Sequence, residues 1–261
     1  MRFAATLLAA LLFCPGAAAA QARRTPIEPG RPDTTNSTTT VEPGVIQLEN
    51  GVAYSHTSTG SGVERRLSIE SSVRVGLADQ LEFRLDAEPI VWLRGPDNAT
   101  GSGDYVLNLV WRFEQPRSGS AWPALGVQPF LKVPAATGPI GSGKVDVGTL
   151  LLASLDLPAD LSLDVNAGLA ALGQRRPSGW LLQAIVSATL TWAPEERWVP
   201  FLGIAYFSRD ERGSGDRLSV QAGVFWRLTH DFAVDASVET GLMGQTPEYL
   251  PRIGCSIRFG R

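Results

Sequence analysis

The amino-acid sequence predicts an all-β fold, a transmembrane antiparallel up-and-down β-barrel of about 12 strands. Three observations predict it: segments of about ten residues that alternate apolar and polar side chains, an N-terminus typical of export, and connections that alternate between long and short. Strands of this length can cross a bilayer when they tilt. Hydrocarbon leaves no partner for a free sheet edge, so such strands must close into a barrel.

Residues 67–77 show the alternation most plainly. Leu, Ile and Val hold most odd positions, while Glu, Arg, Ser and Gly hold the even ones. A period of two indicates a β-strand with one apolar and one polar face. The apolar face would contact lipid, and the polar face would then point into the barrel.

The N-terminus predicts two segments before the barrel. Residues 1–22 are interpreted as a signal peptide, with Arg2, an apolar stretch over 4–13 and small residues over 18–22. Residues 23–44 are rich in Pro and Thr and cannot form a packed element alone. They are expected to form a flexible periplasmic N-terminal tail or a partial plug in the barrel mouth, and residues 45–261 the outer-membrane β-barrel.

Twelve strands are expected in the barrel, with Pro89 marking a bulge or an early strand end in the third. Their expected bounds are 45–54, 66–77, 81–93, 104–114, 124–133, 143–156, 161–172, 179–193, 198–208, 216–228, 230–240 and 252–260.

The connections predict the orientation in the membrane. Those at 55–65, 94–103 and 241–251 are long, whereas several even-numbered ones are tight, such as 78–80 and 158–160. Long outer loops and short periplasmic turns are typical of bacterial outer-membrane barrels. All seven tryptophans lie near predicted strand ends, as in an interfacial aromatic girdle.

Several other chemistries are disfavoured. The net charge of −3 and the absence of a Lys/Arg cluster argue against nucleic acid. Residues 138–145 resemble a phosphate-binding loop only superficially, because Val145 replaces the required Ser/Thr and a strand follows. His56 and His230 are predicted at opposite ends of the barrel, so they cannot share a metal. No catalytic residue, metal site or cofactor is expected, and the chain is not expected to be an enzyme.

The polar face of the strands supplies the candidate functional residues. They carry both signs of charge, so they could pair with one another or line a water-filled passage that selects solutes. The candidate lumen-lining residues are Glu49, Glu70, Arg74, Glu82, Arg84, Arg112, Lys132, Asp146, Asp164, Arg227, Asp235, Glu239 and Arg258. Twelve strands leave room for a narrow lumen, whereas eight would be filled by side chains.

Five segments, 31–33, 41–51, 76–84, 130–134 and 141–146, together resemble the outer-membrane β-barrel family named for the meta-pathway of phenol degradation. The resemblance covers most of residues 31–260. It implies an outer-membrane barrel and passage of aromatic or other small organic compounds, and it carries over no catalytic residues.

The expected function is therefore an outer-membrane channel or uptake protein for passive passage of small molecules in a Gram-negative bacterium, exported by its signal peptide. Outer-membrane lipid, the barrel-assembly machinery and a small-molecule solute are the expected partners. Three alternatives stay open: a non-conducting structural or adhesive barrel, an outer-membrane enzyme that uses His56, and a soluble periplasmic barrel or sandwich.

Overall fold

A computed structural model describes residues 25–115, 122–136, 138–195 and 197–260, so the predicted signal peptide lies outside the described residues. The strands are β1 (Ile46–Thr59), β2 (Gly62–Ala78), β3 (Leu81–Arg94), β4 (Ala99–Gly101), β5 (Tyr105–Glu114), β6 (Ala124–Val133), β7 (Asp146–Leu157), β8 (Leu161–Gln174), β9 (Gly179–Trp192), β10 (Trp198–Phe207), β11 (Arg217–Thr229), β12 (Phe232–Met243) and β13 (Leu250–Phe259).

Twelve of these strands close into an antiparallel up-and-down barrel. Each pairs with its neighbour in sequence, and β1 closes the ring by pairing with β13. The three-residue β4 is an addition that pairs only with residues 91–93 at the outer end of β3. The predicted fold class and strand number are therefore confirmed. No described helix is long and apolar enough to span a membrane.

The first outer connection differs from the prediction. Residues 55–65 were expected to form a long loop, but β1 and β2 continue to Thr59 and Gly62 and leave only Gly60 and Ser61 between them. Apart from Val63, the extension carries no large apolar side chain, because it lies beyond the hydrocarbon, where a strand needs no apolar side. Apolar alternation therefore marked the membrane part of these strands and not their ends.

Pro89 lies at the predicted irregularity of β3. The pairing with β2 shifts between Ile69 opposite Ile90 and Ser71 opposite Ala87, so β3 carries an extra residue there. Such a bulge accommodates a residue without an N–H. It also reverses the alternation, so that Val91 and Leu93 are buried inside the barrel.

The outer surface of the barrel is apolar. Leu151, Leu182, Leu202 and Ile253 are each more than 60% exposed at outward positions of their strands. Tryptophans flank this band near the strand ends, and neighbouring strands stack two of them at the periplasmic end, with ring centroids 4.7 Å apart. An exposed apolar band with aromatic borders is the surface that a bilayer requires.

The N-terminal segment, residues 25–45, runs inside the barrel. Ile27 donates its N–H to His230 O at the periplasmic end, and Thr38 donates its N–H to Ser154 Oγ on β7. The chain then returns to the periplasmic end, where the N–H of Gly44 donates to Gly76 O. The segment therefore contacts the inner wall from the periplasmic end to β7 and back.

Candidate functional site in the barrel lumen

A cluster of four charged side chains, Glu49, Arg74, Glu82 and Arg84, lines the inner wall on β1, β2 and β3. We call it the wall cluster. Arg74 Nε lies 2.8 Å from Glu82 Oε1 and Arg74 Nη1 lies 3.0 Å from Glu49 Oε1. Arg84 Nη2 also approaches Glu82 Oε1, at 3.2 Å. All four are buried, and buried charges require such pairing.

The wall cluster binds the backbone of the N-terminal segment. The N–H of Gly30 donates to both carboxylate oxygens of Glu49, at 2.9 and 3.1 Å. The N–H of Val41 donates to Glu82 Oε2 at 2.8 Å, and Arg74 donates to the carbonyls of Glu28 and Thr39. The four strand residues therefore hold both the ascending and the descending part of the segment.

At the tip of the N-terminal segment, the side chain of Arg31 extends into a second group of charged residues. Arg31 Nη2 lies 3.3 Å from Glu70 Oε2 and 3.7 Å from Asp235 Oδ1. Arg252 approaches Glu70 from β13 and donates to Glu239 Oε2 at 2.8 Å. Glu70, Asp235 and Glu239 were all predicted on the inner face, and here they surround two guanidinium groups.

Arg31 fits against the wall because two glycines leave a notch. Gly51 of β1 and Gly254 of β13 lie directly opposite each other. A Cβ atom at either position would lie 1.6 Å from Arg31 Nη1, so no side chain could coexist with the arginine there. The notch could not be predicted from the sequence, since neither glycine carries a charge or belongs to an apolar pattern.

A third group of charges binds the outer loop between β6 and β7 to the inner wall. Lys132 on β6 forms ion pairs with Asp146 on β7 and with Asp104, and its Nζ donates to Ser142 Oγ at 2.9 Å. Because Ser142 belongs to the loop between β6 and β7, these bonds draw the loop inward. Lys132 and Asp146 were predicted on the inner face from alternation alone.

The remaining predicted residues lie closer to the periplasmic end. Arg227 Nε donates to Ile27 O at 2.9 Å, and Arg258 Nη2 donates to Thr25 O at 2.6 Å. Arg112 donates to the carbonyl of Asp79 in a turn, at 3.3 Å. Asp164 accepts a hydrogen bond from Ser154 Oγ. Arg227 and Arg258 therefore anchor the start of the N-terminal segment, while Arg112 does not reach the other clusters.

Cavities within the described part of the barrel differ in size between its two ends. A cavity of about 430 Å³ lies above the tip of the segment, between Arg31, Glu70 and Lys132. A second, of about 800 Å³, lies beneath the outer loops between Asp146, Arg217 and Leu172. The periplasmic side holds less space, about 80 Å³ between the segment and the wall and about 180 Å³ at the rim beside Pro26 and His230. The lumen is therefore wide at the outer end and nearly filled at the inner end.

Asp33 lines the small periplasmic cavity. Burial raises the pKa of the Asp33 carboxyl well above its usual value of 3.8, and the carboxylates of Asp164 and Glu49 raise it further. A hydrogen bond from the Thr35 backbone and the charge of Arg84 oppose the shift. The docked segment therefore favours the protonated acid at this position.

The inner wall also carries an apolar patch, which differs from the polar inner face that the sequence predicts. Val110, Leu150, Leu152, Ala170 and Ile185 are buried together inside β5, β7, β8 and β9. Three partly buried residues extend the patch, namely Phe130, Leu172 and Phe207. The signal for it was present in the sequence, because residues 150–152 are all leucine and so place apolar side chains on both faces of β7.

Outside the lumen, the geometry around His56 does not match a nucleophilic triad. Ser58 Oγ donates to Glu248, and Glu248 Oε2 lies 3.6 Å from His56 Nε2. The carboxylate therefore stands between serine and histidine, whereas a triad needs the histidine in the middle. Among the described residues, no group of three or more His, Cys, Asp or Glu side chains could hold a metal ion.

The family model described as "Putative MetA-pathway of phenol degradation" matches residues 29–259. The chain belongs to this family. The match to this phenol-degradation family includes both the barrel and most of the N-terminal segment inside it. A search of curated proteins found no relative that matches.

Solved structures similar to this phenol-degradation family barrel include an outer-membrane channel and a porin. An outer-membrane channel from Pseudomonas putida F1 aligns with a TM-score of 0.66 at 11% identity, over 89% of this chain and 100% of that one. The NanC porin aligns with a TM-score of 0.54 at 12% identity, over 81% and 98% of the two chains. These likenesses establish the fold, an outer-membrane β-barrel of the Gram-negative type.

Proposed function

We propose that this protein is a passive outer-membrane channel for small organic molecules, with residues 25–45 acting as a removable plug. The observation that carries the proposal is the asymmetry of the lumen. Cavities of about 430 and 800 Å³ face outward, whereas only about 80 and 180 Å³ lie beside the plug toward the periplasm. A protein that only needed a stable wall would gain nothing from large outward cavities lined with charge.

The plug is held by bonds that can be exchanged for water. Its contacts to the wall cluster and to Glu70 are hydrogen bonds and ion pairs. Each such hydrogen bond contributes about 0.5–1.5 kcal/mol net, or about 1.5–3 kcal/mol when one partner is charged. Release would also expose the buried apolar side chains of Ile27, Val41 and Val45, so apolar burial adds to the hold of these bonds.

Solutes with both an apolar body and an anionic group fit the larger outward cavity best. Leu172, which belongs to the inner apolar patch, lines that cavity together with Arg217. The Arg217 guanidinium lies 5.3 Å from the Phe207 ring centroid and also pairs with Asp210, its Nη1 lying 3.3 Å from Asp210 Oδ2. The cavity is still cationic on balance, because its lining carries five Lys or Arg side chains and three carboxylates. Aromatic acids combine these two features, and the description of the family supports aromatic compounds as cargo.

The test is solute flux through liposomes that contain the purified mature protein, with and without residues 23–43. Benzoate and an uncharged sugar of similar size serve as the two probes. We expect the shortened protein to pass both probes faster than the full protein, because the periplasmic cavity widens. Absence of flux through both proteins would exclude a channel.

A substitution tests the proposed selectivity. Arg217→Gln is expected to slow benzoate relative to the sugar, since it removes a cation from the outward cavity. Arg209→Gln is the matched control, because Arg209 is an exposed residue of the outer loop between β10 and β11. Equal benzoate-to-sugar ratios in both variants would contradict a role for Arg217.

A non-conducting structural or adhesive barrel is the second candidate. The bonding of the plug favours it, since both the wall cluster and the group around Arg31 are paired with the segment. In that case removal of residues 23–43 would lower the stability of the barrel and open no passage. Neither candidate involves an enzyme reaction.

The proposed route to the membrane follows from the N-terminus. Residues 1–22 would direct export as a signal peptide, and the barrel-assembly machinery would then insert the strands. The apolar outer band would contact outer-membrane lipid. Fractionation of a chain lacking residues 2–22 tests the export step, with retention in the cytoplasm as the expected result.

A further inference from the structure

The outward face of β1, β2 and β3 carries a row of polar side chains at one height near its outer end. His56 lies opposite Arg65, and Arg65 lies opposite Arg94. We call these three positions the cationic row, after the two arginines. Tyr249, which precedes β13, continues the row, because its ring stacks on His56 at a centroid distance of 4.9 Å. Arg65 and Arg94 are both exposed.

The next row toward the membrane centre is apolar and aromatic. Two residues closer to the membrane centre, the same three strands carry Tyr54, Leu67 and Trp92, which lie opposite one another in the sheet. Val52, Ile69 and Ile90 form the row below that one. Aromatic side chains immediately beneath cations are typical of the boundary between hydrocarbon and lipid headgroups.

The height of the cationic row agrees with this boundary. Ile46 is the first outward residue of β1 and lies ten positions before His56. A rise of about 3.3 Å per residue at a tilt of about 40° raises His56 about 25 Å above Ile46. The apolar band of an outer-membrane barrel is about 25 Å tall, so the row lies at its outer edge.

Within the described part of the chain, the two arginines lack an anionic partner. Arg94 donates to the backbone carbonyls of Leu93 and Ala99, and neither Arg94 nor Arg65 forms an ion pair. Glu248 approaches His56 at the other end of the row. Like charges directly opposite on adjacent strands are unfavourable, and an anion bound between them would remove that repulsion.

We propose that this row, His56, Arg65, Arg94 and Tyr249, is a binding site for the phosphorylated glycolipid of the outer leaflet. Arginine forks match phosphate oxygens in bidentate geometry, and the aromatic row beneath would contact the sugar and the start of the acyl chains. The site lies on the lipid side of the wall. It is therefore independent of any passage through the lumen.

The experiment measures lipid binding to the full mature protein, refolded in detergent that contains no glycolipid. Native mass spectrometry follows a titration with the bisphosphorylated glucosamine-disaccharide lipid, and the same lipid lacking one phosphate and phosphatidylglycerol serve as comparisons. The variants are the double substitutions Arg65→Gln with Arg94→Gln and Arg65→Lys with Arg94→Lys. Arg209→Gln is the control, an exposed outer-loop arginine away from the row.

We expect the glutamine pair to bind the bisphosphorylated lipid about tenfold more weakly, a change of about 1.4 kcal/mol. The lysine pair should retain part of the affinity because it retains the charge, and Arg209→Gln should bind as the unsubstituted protein does. Heat-modifiable gel migration checks that every variant is folded. Unchanged binding by the folded glutamine pair, or equally tight binding of phosphatidylglycerol, would overturn the site.

Discussion

At the scale of single residues, the wall cluster is built around the carboxylate of Glu82. Two arginines from adjacent strands, Arg74 and Arg84, lie directly opposite each other. Such a like-charged pair is unfavourable unless an anion lies between the two groups. Glu82 supplies it, accepts from both guanidinium groups and also binds the N–H of Val41.

Glu82→Gln should therefore destabilise the barrel strongly. The neutral amide leaves two buried guanidinium groups without their shared anion, and removal of one partner of a buried ion pair costs about 3–5 kcal/mol. Urea unfolding in liposomes measures the change. The control is Glu64→Gln on β2. It should change the free energy of unfolding by less than about 0.5 kcal/mol, because Glu64 is only half-buried and forms no ion pair with a described residue. Equal losses in both variants would argue against the cluster.

Asp33 gives the docked plug a pH dependence. Its pKa is raised in the docked state, so the docked state binds a proton more readily than the released segment does. The docked state is therefore favoured below pH 3.8, the usual pKa, and loses stability as the pH rises above it.

We expect channel opening in planar bilayers to increase as the pH rises from about 4 toward neutrality. Asp33→Asn should reduce this dependence and keep the channel closed more of the time, because the neutral side chain cannot ionise. An unchanged pH response in that variant would show that other groups control release of the plug.

At the scale of elements, the fit between the N-terminal segment and the wall depends on the notch formed by Gly51 and Gly254. Gly254→Ala would place a methyl group where Arg31 Nη1 now lies. We expect the arginine to leave the notch and the segment to become sensitive to protease added at the periplasmic side. Gly60→Ala should leave the segment protected, since a Cβ at Gly60 has no neighbour within 4 Å. Protection in both variants would contradict the role of the notch.

Elements differ in how far the sequence predicts them. The twelve barrel strands could be predicted because lipid on one side forces a period of two. The ends of β1 and β2 could not, since residues 57–59 lie beyond the lipid and carry no apolar alternation. The path of residues 25–45 could not either, because a Pro- and Thr-rich segment has no amphipathic period, and its place depends on contacts such as the notch.

The charged site was predictable only in part, for a related reason. Alternation shows which face of a strand a residue occupies, and it indicated the inner face for Glu49, Arg74 and Glu82. It does not give the height of a residue or its partner on another strand. The pairing of Glu70 with Arg31 therefore emerged only from the fold. Contact of these residues with a passing solute stays a prediction.

At the scale of the whole molecule, the outward surface distinguishes a membrane barrel from a soluble one. Leu202 is 64% exposed and lies midway along β10, whereas Leu228 is 40% exposed near the periplasmic end of β11. In water, arginine at either position would change stability by less than about 0.5 kcal/mol. In a bilayer the cost depends on depth, about 2–4 kcal/mol at the midplane and about 0–1 kcal/mol near the interface.

Leu202→Arg should therefore destabilise the barrel far more than Leu228→Arg when both are unfolded from liposomes with guanidinium. The two substitutions are chemically identical and both replace exposed leucines, so the difference between them reports mainly the depth of each position in the lipid. Small and equal effects would mean that the outward face lies in water, which would be incompatible with an outer-membrane barrel.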